Sequence, residues 1–163
     1  MDIPPFIKIK KSHSGKGLFA KKIIKKGSKL FHFNGEIMDG AYTDRIKSLQ
    51  IDEDKFLEST AESKFDDFLN HSCNPNCRID WQTLNLTALK DIQKDEELSF
   101  DYNISEYDLL NGGNFSFKCE CGSKNCIGEV KGFKHLSLEQ KNKIRKFISP
   151  FLKNKFEQDF RNM

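Results

Sequence analysis

The chain has 163 residues, 37% of them hydrophobic, with 27 Lys/Arg against 24 Asp/Glu and a formal charge of +3. This length suits one domain with a modest tail and allows a real core. No apolar run is long enough to span a membrane, and Met1-Asp2-Ile3-Pro4-Pro5 does not read as a signal peptide, so an intracellular protein, nuclear or cytoplasmic, is expected.

Charge is unevenly spread. Residues 1–29 hold nine Lys/Arg and one acid, residues 30–130 hold nine Lys/Arg against twenty acids, and residues 131–163 return to an excess of six positive charges. An acidic middle attracts a basic peptide through its summed field, although most such charges taken singly are solvated surface. The basic ends lack interleaved exposed aromatics and any nucleic-acid motif, so direct nucleic-acid binding is not expected.

Phe6-Ile7-Lys8-Ile9-Lys10 alternates and predicts a strand. Lys16–Ala20 and Lys29–Phe33 predict further short strands, with turns at Gly15, Gly17, Gly27 and Gly35. Residues 38–67 are acidic and weakly patterned; a short helix near Thr43–Leu49 and a hairpin through Asp52-Glu53-Asp54 are expected there. Cys77–Trp81 and Leu84–Lys90 read as strands about Gln82-Thr83, and Glu96–Tyr102 as another. Many short, closely spaced strands with little helix argue for a mostly β domain.

Asn111-Gly112-Gly113-Asn114 reads as a flexible linker. After Gly132 the period becomes helical. Ser137 and Gln140 form a capping box. Ile144, Phe147, Ile148, Phe151 and Phe156 follow helical spacing, and Pro150 breaks that run, with Ser149 placed to cap a second helix. The tail is expected to pack on the core as an amphipathic appendage; a basic dimerisation or docking helix is the weaker alternative.

Three segments carry chemistry. Asn70-His71-Ser72-Cys73-Asn74-Pro75-Asn76 is a polar turn with almost nothing to bury, the kind found at a surface or facing a ligand. Glu97-Leu98-Ser99-Phe100-Asp101-Tyr102 is a strand ending in a phenol. Cys119, Cys121 and Cys126 have metal-ligand spacing. Five cysteines in a chain without a signal peptide point to a reducing compartment, where clustered thiols are metal ligands rather than disulfides. Tetrahedral zinc takes four ligands, so three cysteines leave one place, for which Cys73 and Cys77 are rivals.

These segments resemble the SET-domain protein lysine methyltransferases with a post-SET zinc motif. Ser14-Gly15-Lys16-Gly17-Leu18-Phe19-Ala20 is similar to the family's first block, Phe33-Asn34-Gly35-Glu36 to its second, and the two polar segments to its third and fourth. The likeness covers roughly Ile7 to Gly128. It implies a SET-type β-clip fold, small curved sheets around a pseudoknot, with a SET domain at 1–108, a linker and post-SET zinc segment at 109–130, and a helical tail at 131–163. It implies S-adenosylmethionine as methyl donor, held by Lys16, Gly17, Leu18, Asn70, His71 and Tyr102. It also implies zinc on Cys73, Cys119, Cys121 and Cys126, with Cys77 a buried thiol. Tyr102 becomes the catalytic phenol, and Phe100 the residue that tunes methyl count toward di- or trimethylation. The substrate would be a lysine of a histone or another basic protein.

Two positions depart from the family pattern. Phe33 stands where the family usually has tyrosine, and Asp67 where many relatives carry arginine. Phe33 lacks a hydroxyl at the site and favours the alternative of a catalytically weak SET-like zinc-containing binding module. A Cys–His hydrolase using Cys73 and His71 is a poorer reading, because residues two apart rarely reach the needed geometry and no orienting third group is evident. A nucleic-acid-binding zinc protein is the remaining alternative and predicts steep salt dependence.

Overall fold

The computed structural model describes residues 3–40, 48–61, 63–111 and 113–161. Strands β1 (Ile7–Ser12) and β2 (Gly15–Ala20) are followed by β3 (Lys29–His32), β4 (Gly35–Asp39), β5 (Ser48–Asp52) and β6 (Lys55–Ser59). Then come β7 (Asn70–His71), β8 (Cys77–Asp80), β9 (Asn85–Ala88), β10 (Ser99–Phe100), β11 (Phe117–Lys118) and β12 (Glu129–Val130). Helices α1 (Leu138–Ile144) and α2 (Pro150–Arg161) close the chain. The mostly β expectation holds. Residues 43–47 of the expected Thr43–Leu49 helix lie outside the described residues, and Ser48 and Leu49 open β5 instead. Among the described residues no helix is long and apolar enough to cross a membrane.

The chain divides into two compact units, each assembled from three segments. The first comprises residues 1–36, 59–101 and 119–128. In it β1 and β2 form an antiparallel hairpin, from Ile7 opposite Ala20 to Ser12 opposite Gly15. A second sheet has the order β3-β9-β8 and is antiparallel throughout. The expected pair about Gln82-Thr83 is its β8–β9 hairpin. Alternation turns Ile79, Leu86 and Ala88 inward, an irregularity in β3 lets Leu30 and Phe31 both be buried, and Ile7, Leu18, Ile92 and Leu98 are likewise core. Each such aliphatic side chain contributes about 1.5–3 kcal/mol by leaving water.

β7 and β10 pair in parallel, Asn70 with Ser99 and His71 with Phe100. Parallel neighbours need a long crossover, and here the β8–β9 hairpin lies between them in sequence. The expected strand over Glu96–Tyr102 is shorter than its pattern suggested. Glu97 makes only an isolated bridge to Phe19, and the strand proper is Ser99–Phe100. Tyr102–Ile104 turns into a 3-10 helix, because the amides of Ser105 and Glu106 both donate to the Tyr102 carbonyl.

The second unit comprises residues 37–58, 102–118 and 129–163. Its sheet has the order β4-β6-β5, and the β5–β6 hairpin turns at the expected acidic segment. The buried Gln50 amide nitrogen donates to the carbonyls of Asp52 and Glu53, while its oxygen accepts from the Tyr107 amide. Gly132 is required where it stands: its φ is +98°, and a Cβ would fall 2.6 Å from the Tyr107 carbonyl oxygen. The tail matches its sequence signals closely. Ser137 and Gln140 form the reciprocal capping box of α1. Ser149 is fully buried, donates its amide to the Ile104 carbonyl, and accepts from the Leu152 amide at 3.2 Å, capping α2. Edge-on ring contacts, Tyr107 with Phe151 and Phe133 with Phe156, hold α2 within this unit.

Candidate active site and metal centre

A short 3-10 turn, Asp66–Phe68, leads into β7, and the buried Leu69 anchors the junction. The next residue, Asn70, points its amide nitrogen at two acceptors. It donates to the Lys16 carbonyl at 3.0 Å and to Glu97 Oε1 at 2.7 Å. The other oxygen of Glu97 accepts from Ser12 Oγ at 2.9 Å. The Glu97 carboxylate lies flat over Gly17, where a Cβ would stand 2.2 Å from Oε1 and 3.0 Å from Asn70 Nδ2. A side chain at this position would have to displace that carboxylate. Leu18 is fully buried and accepts from the Leu98 amide at 2.7 Å. The Lys16 and Gly17 backbone is thus brought to the polar turn at Asn70, and Leu18 is joined to Leu98 of the fourth motif.

His71 is 7% exposed, with Nδ1 3.6 Å from Asp101 Oδ1 and Nε2 3.3 Å from Cys73 Sγ. Burial lowers its imidazole to about 4, so the ring is neutral near pH 7. Asn76 stitches the two polar segments together. Its amide nitrogen donates to Glu96 Oε1 and to the Glu97 carbonyl, and its oxygen accepts from the Ser99 amide. Neither Glu97 nor Asn76 was picked out from sequence as a site residue, although both stand inside the quoted motifs. Asn76 is buried, at 3% exposure, and Glu97 is half-buried, and neither burial can be read from the sequence.

The four expected sulfurs converge. Cys73, Cys119, Cys121 and Cys126 hold their Sγ atoms within 4.8 Å of one another. Zinc–sulfur bonds of about 2.3 Å in a tetrahedron set sulfurs about 3.8 Å apart, so this donor set fits zinc. Burial raises the Cys73 thiol above its ordinary range and raises Cys119 to about 11. Burial acts the same way on Cys121, but backbone amides of Cys73 and Ser123 and the neighbouring thiols overcome it and bring Cys121 down to about 6. A bound dication favours thiolates at all four positions. Cys77 is outside the cluster: it is 1% exposed, donates to Asn76 Oδ1, and is pushed by burial to about 12. Of the two rivals for the fourth place, Cys73 is the one whose sulfur stands with the other three.

Phe33 and Phe100 are both buried, at 8% and 7% exposure. Phe33 donates its amide to the Leu84 carbonyl and meets Phe31 edge-on, ring centres 5.2 Å apart. Tyr102 opens the second unit, where its ring meets Phe117 edge-on at 5.8 Å.

A model of the SET domain matches residues 15–103 of this chain. The H3 lysine-36-specific histone-lysine N-methyltransferase of Mycosarcoma maydis is 32% identical over 136 residues, 72% of this chain and 14% of that protein. The histone-lysine N-methyltransferase NSD3 of Mus musculus is 34% identical over 138 residues, 74% of this chain and 9% of that one. The chain therefore spans well under a fifth of the length of these relatives. The crystal structure of KRYPTONITE in complex with mCHG DNA and SAH superposes with a TM-score of 0.63, at 24% identity, covering 76% of this chain and 28% of that one. That likeness speaks to the fold. With the family model spanning more than half of its residues, and with the parallel β7–β10 pair joining its two polar motifs, the chain belongs to the SET domain family.

Proposed function

We propose that this protein is an S-adenosylmethionine-dependent protein-lysine N-methyltransferase acting on histone H3 or a similarly basic protein. One observation carries the reading: Lys16, Gly17, Leu18, Asn70 and His71, the candidate donor-binding residues of the first unit, lie together through the Asn70–Lys16 contact and the β7–β10 pair. S-adenosylmethionine would supply a methyl group on a sulfonium, open to attack by an amine. Backbone groups of Lys16–Leu18 and the side chain of Asn70 would hold it, with the His71 backbone.

The target ammonium, with an ordinary pKa of about 10.4, must lose a proton before it attacks, and a desolvated aromatic channel lowers that cost. Phe100 is assigned to that channel, where the absence of a hydroxyl leaves room for a second or third methyl. Tyr102 is assigned as the phenol that orients the lysine nitrogen. Zinc on the four cysteines is given a structural part, tying Cys73 of the polar turn to the 119–128 segment. Relatives named for H3 lysine 36 favour a histone tail as substrate and a nuclear setting. Phe33 favours the second reading, a binding module with weak turnover.

The test is methyl transfer from labelled S-adenosylmethionine to mixed histones and to a whole-cell lysate, comparing wild type with Tyr102→Phe and reading products by mass spectrometry. Tyr102→Phe is expected to lower transfer by about a hundred-fold or more while donor binding persists. Donor binding without labelling of either pool would move the binding-module reading forward.

A further inference from the structure

We propose that Glu97 is a positioning residue that, with the Lys16 carbonyl, fixes which way the Asn70 amide faces, so that an acceptor oxygen is what it offers the amino-acid end of the donor; the inference rests on the donor-site reading above. An asparagine side chain can be turned over, exchanging a two-hydrogen donor for an acceptor. Here one end of the amide lies 3.0 Å from the Lys16 carbonyl oxygen and 2.7 Å from Glu97 Oε1. Both partners only accept. Turning the amide over would set its oxygen against two other oxygens, so the nitrogen must occupy this end, and both of its N–H bonds are used. Asn70 is left with one polar atom to offer a ligand, its carbonyl oxygen, which accepts. An ammonium satisfies that atom.

Glu97 is itself held for this task. Ser12 Oγ donates to its second oxygen at 2.9 Å. The missing side chain of Gly17 lets the carboxylate lie close over the β2 backbone, in space that a Cβ would claim at 2.2 Å. The Glu97 backbone is pinned as well, since its carbonyl accepts from Asn76 Nδ2 at 2.7 Å. Ser12, Gly17, Glu97 and Asn76 together determine the orientation of one amide. The Lys16 carbonyl favours the same orientation, and Glu97 adds a second, charged acceptor that strengthens the preference.

Glu97→Gln tests this with almost no change in shape. Glutamine can donate to an asparagine oxygen, so it removes Glu97's share of the penalty for the turned-over amide and leaves only that of the Lys16 carbonyl. Two probes separate orientation from folding: S-adenosylhomocysteine, which carries the ammonium, and 5′-methylthioadenosine, which lacks the amino-acid end. Calorimetric titration of wild type is expected to show binding of both. Glu97→Gln should weaken S-adenosylhomocysteine by about ten-fold, in line with loss of a hydrogen bond to a charged group, and leave 5′-methylthioadenosine unchanged. Ser12→Ala, which frees one Glu97 oxygen, should give a smaller loss of the same selective kind. Equal weakening of both probes in a folded Glu97→Gln would show a merely structural role and overturn the proposal, as would no weakening of either. Wild type that binds neither probe would overturn the donor-site reading itself, and the role assigned to Glu97 with it.

Discussion

Cys73 and Cys119 stand 46 positions apart in the chain and bring their sulfurs to 3.7 Å of each other. That separation matches the edge of a tetrahedral zinc–sulfur cage, about 3.8 Å. The contact joins the polar turn after β7 to a segment that otherwise has short secondary structure and few buried side chains. A metal there would stand in for the hydrophobic core that residues 119–128 do not possess.

Zinc content should therefore be one ion per chain by elemental analysis of purified protein. Cys73→Ser or Cys119→Ser should lower it to a small fraction, and Cys77→Ser should leave it intact. Acid should release the ion, because binding thiolates compete with protons. Full zinc retention in Cys73→Ser with loss in Cys77→Ser would reverse the ligand assignment.

Asp66 gives the protein a pH dependence of its own. Burial, and then the neighbouring Asp67, raise its carboxyl from 3.8 to about 7. Below about pH 4 the group is protonated folded or unfolded and does not affect the balance. Between there and pH 7 the unfolded chain ionises while the folded protein keeps its proton. Stability is then lost progressively as pH rises, and the loss is complete above 7. Because Asp66 is only half-buried, solvent screening reduces the effect to about 1–2 kcal/mol. Asp66→Asn should melt several degrees higher than wild type at pH 8 and at the same temperature at pH 4. A gain of equal size at both pH values would point to a cause other than ionisation.

Ser149 caps α2 from a fully buried position, accepting from the Leu152 amide while its own amide serves Ile104. Ser149→Ala removes the cap and leaves that helix amide without its partner, at a cost of about 1–2 kcal/mol. For a chain of this size that lowers the melting temperature by about 2–8 °C. Ser137→Ala, in the exposed capping box of α1, should cost less, and circular dichroism melts of the two variants compare them directly.

Local signals were legible in the sequence because local chemistry sets them. The capping box at Ser137, the helix start at Pro150 and the hairpin at Asp52-Glu53-Asp54 each depend on residues a few positions apart. The cysteine spacing was equally readable for three ligands. The fourth was not legible from spacing: Cys73 and Cys77 sit four residues apart in similar company, and only the family resemblance favoured Cys73, whose sulfur tertiary placement sets beside the other three. Glu97 was illegible for the same reason. Its partners Asn70 and Ser12 lie 27 and 85 residues away, so nothing near it in sequence announces the contact. The short β10 illustrates the reverse case. Its flanks have strand pattern, but Glu97 is engaged by its side chain and Tyr102 by a tight turn, which leaves two residues for the ladder.

Phe33 offers the sharpest link between packing and product. Its ring is 8% exposed and contacts Phe31, which in turn meets Phe65 edge-on at 5.1 Å. A tyrosine here adds one hydroxyl at the far end of the ring. If that end faced closed core, the unpaired hydroxyl would cost about 1–3 kcal/mol and the melting temperature would drop. Under the proposed function the ring faces the lysine channel instead. Phe33→Tyr should then melt within a degree or two of wild type. It should also shift products toward fewer methyls by narrowing the channel, as mass spectrometry of a labelled histone substrate would show. A clear drop in melting temperature with an unchanged methyl distribution would place the ring in core packing alone.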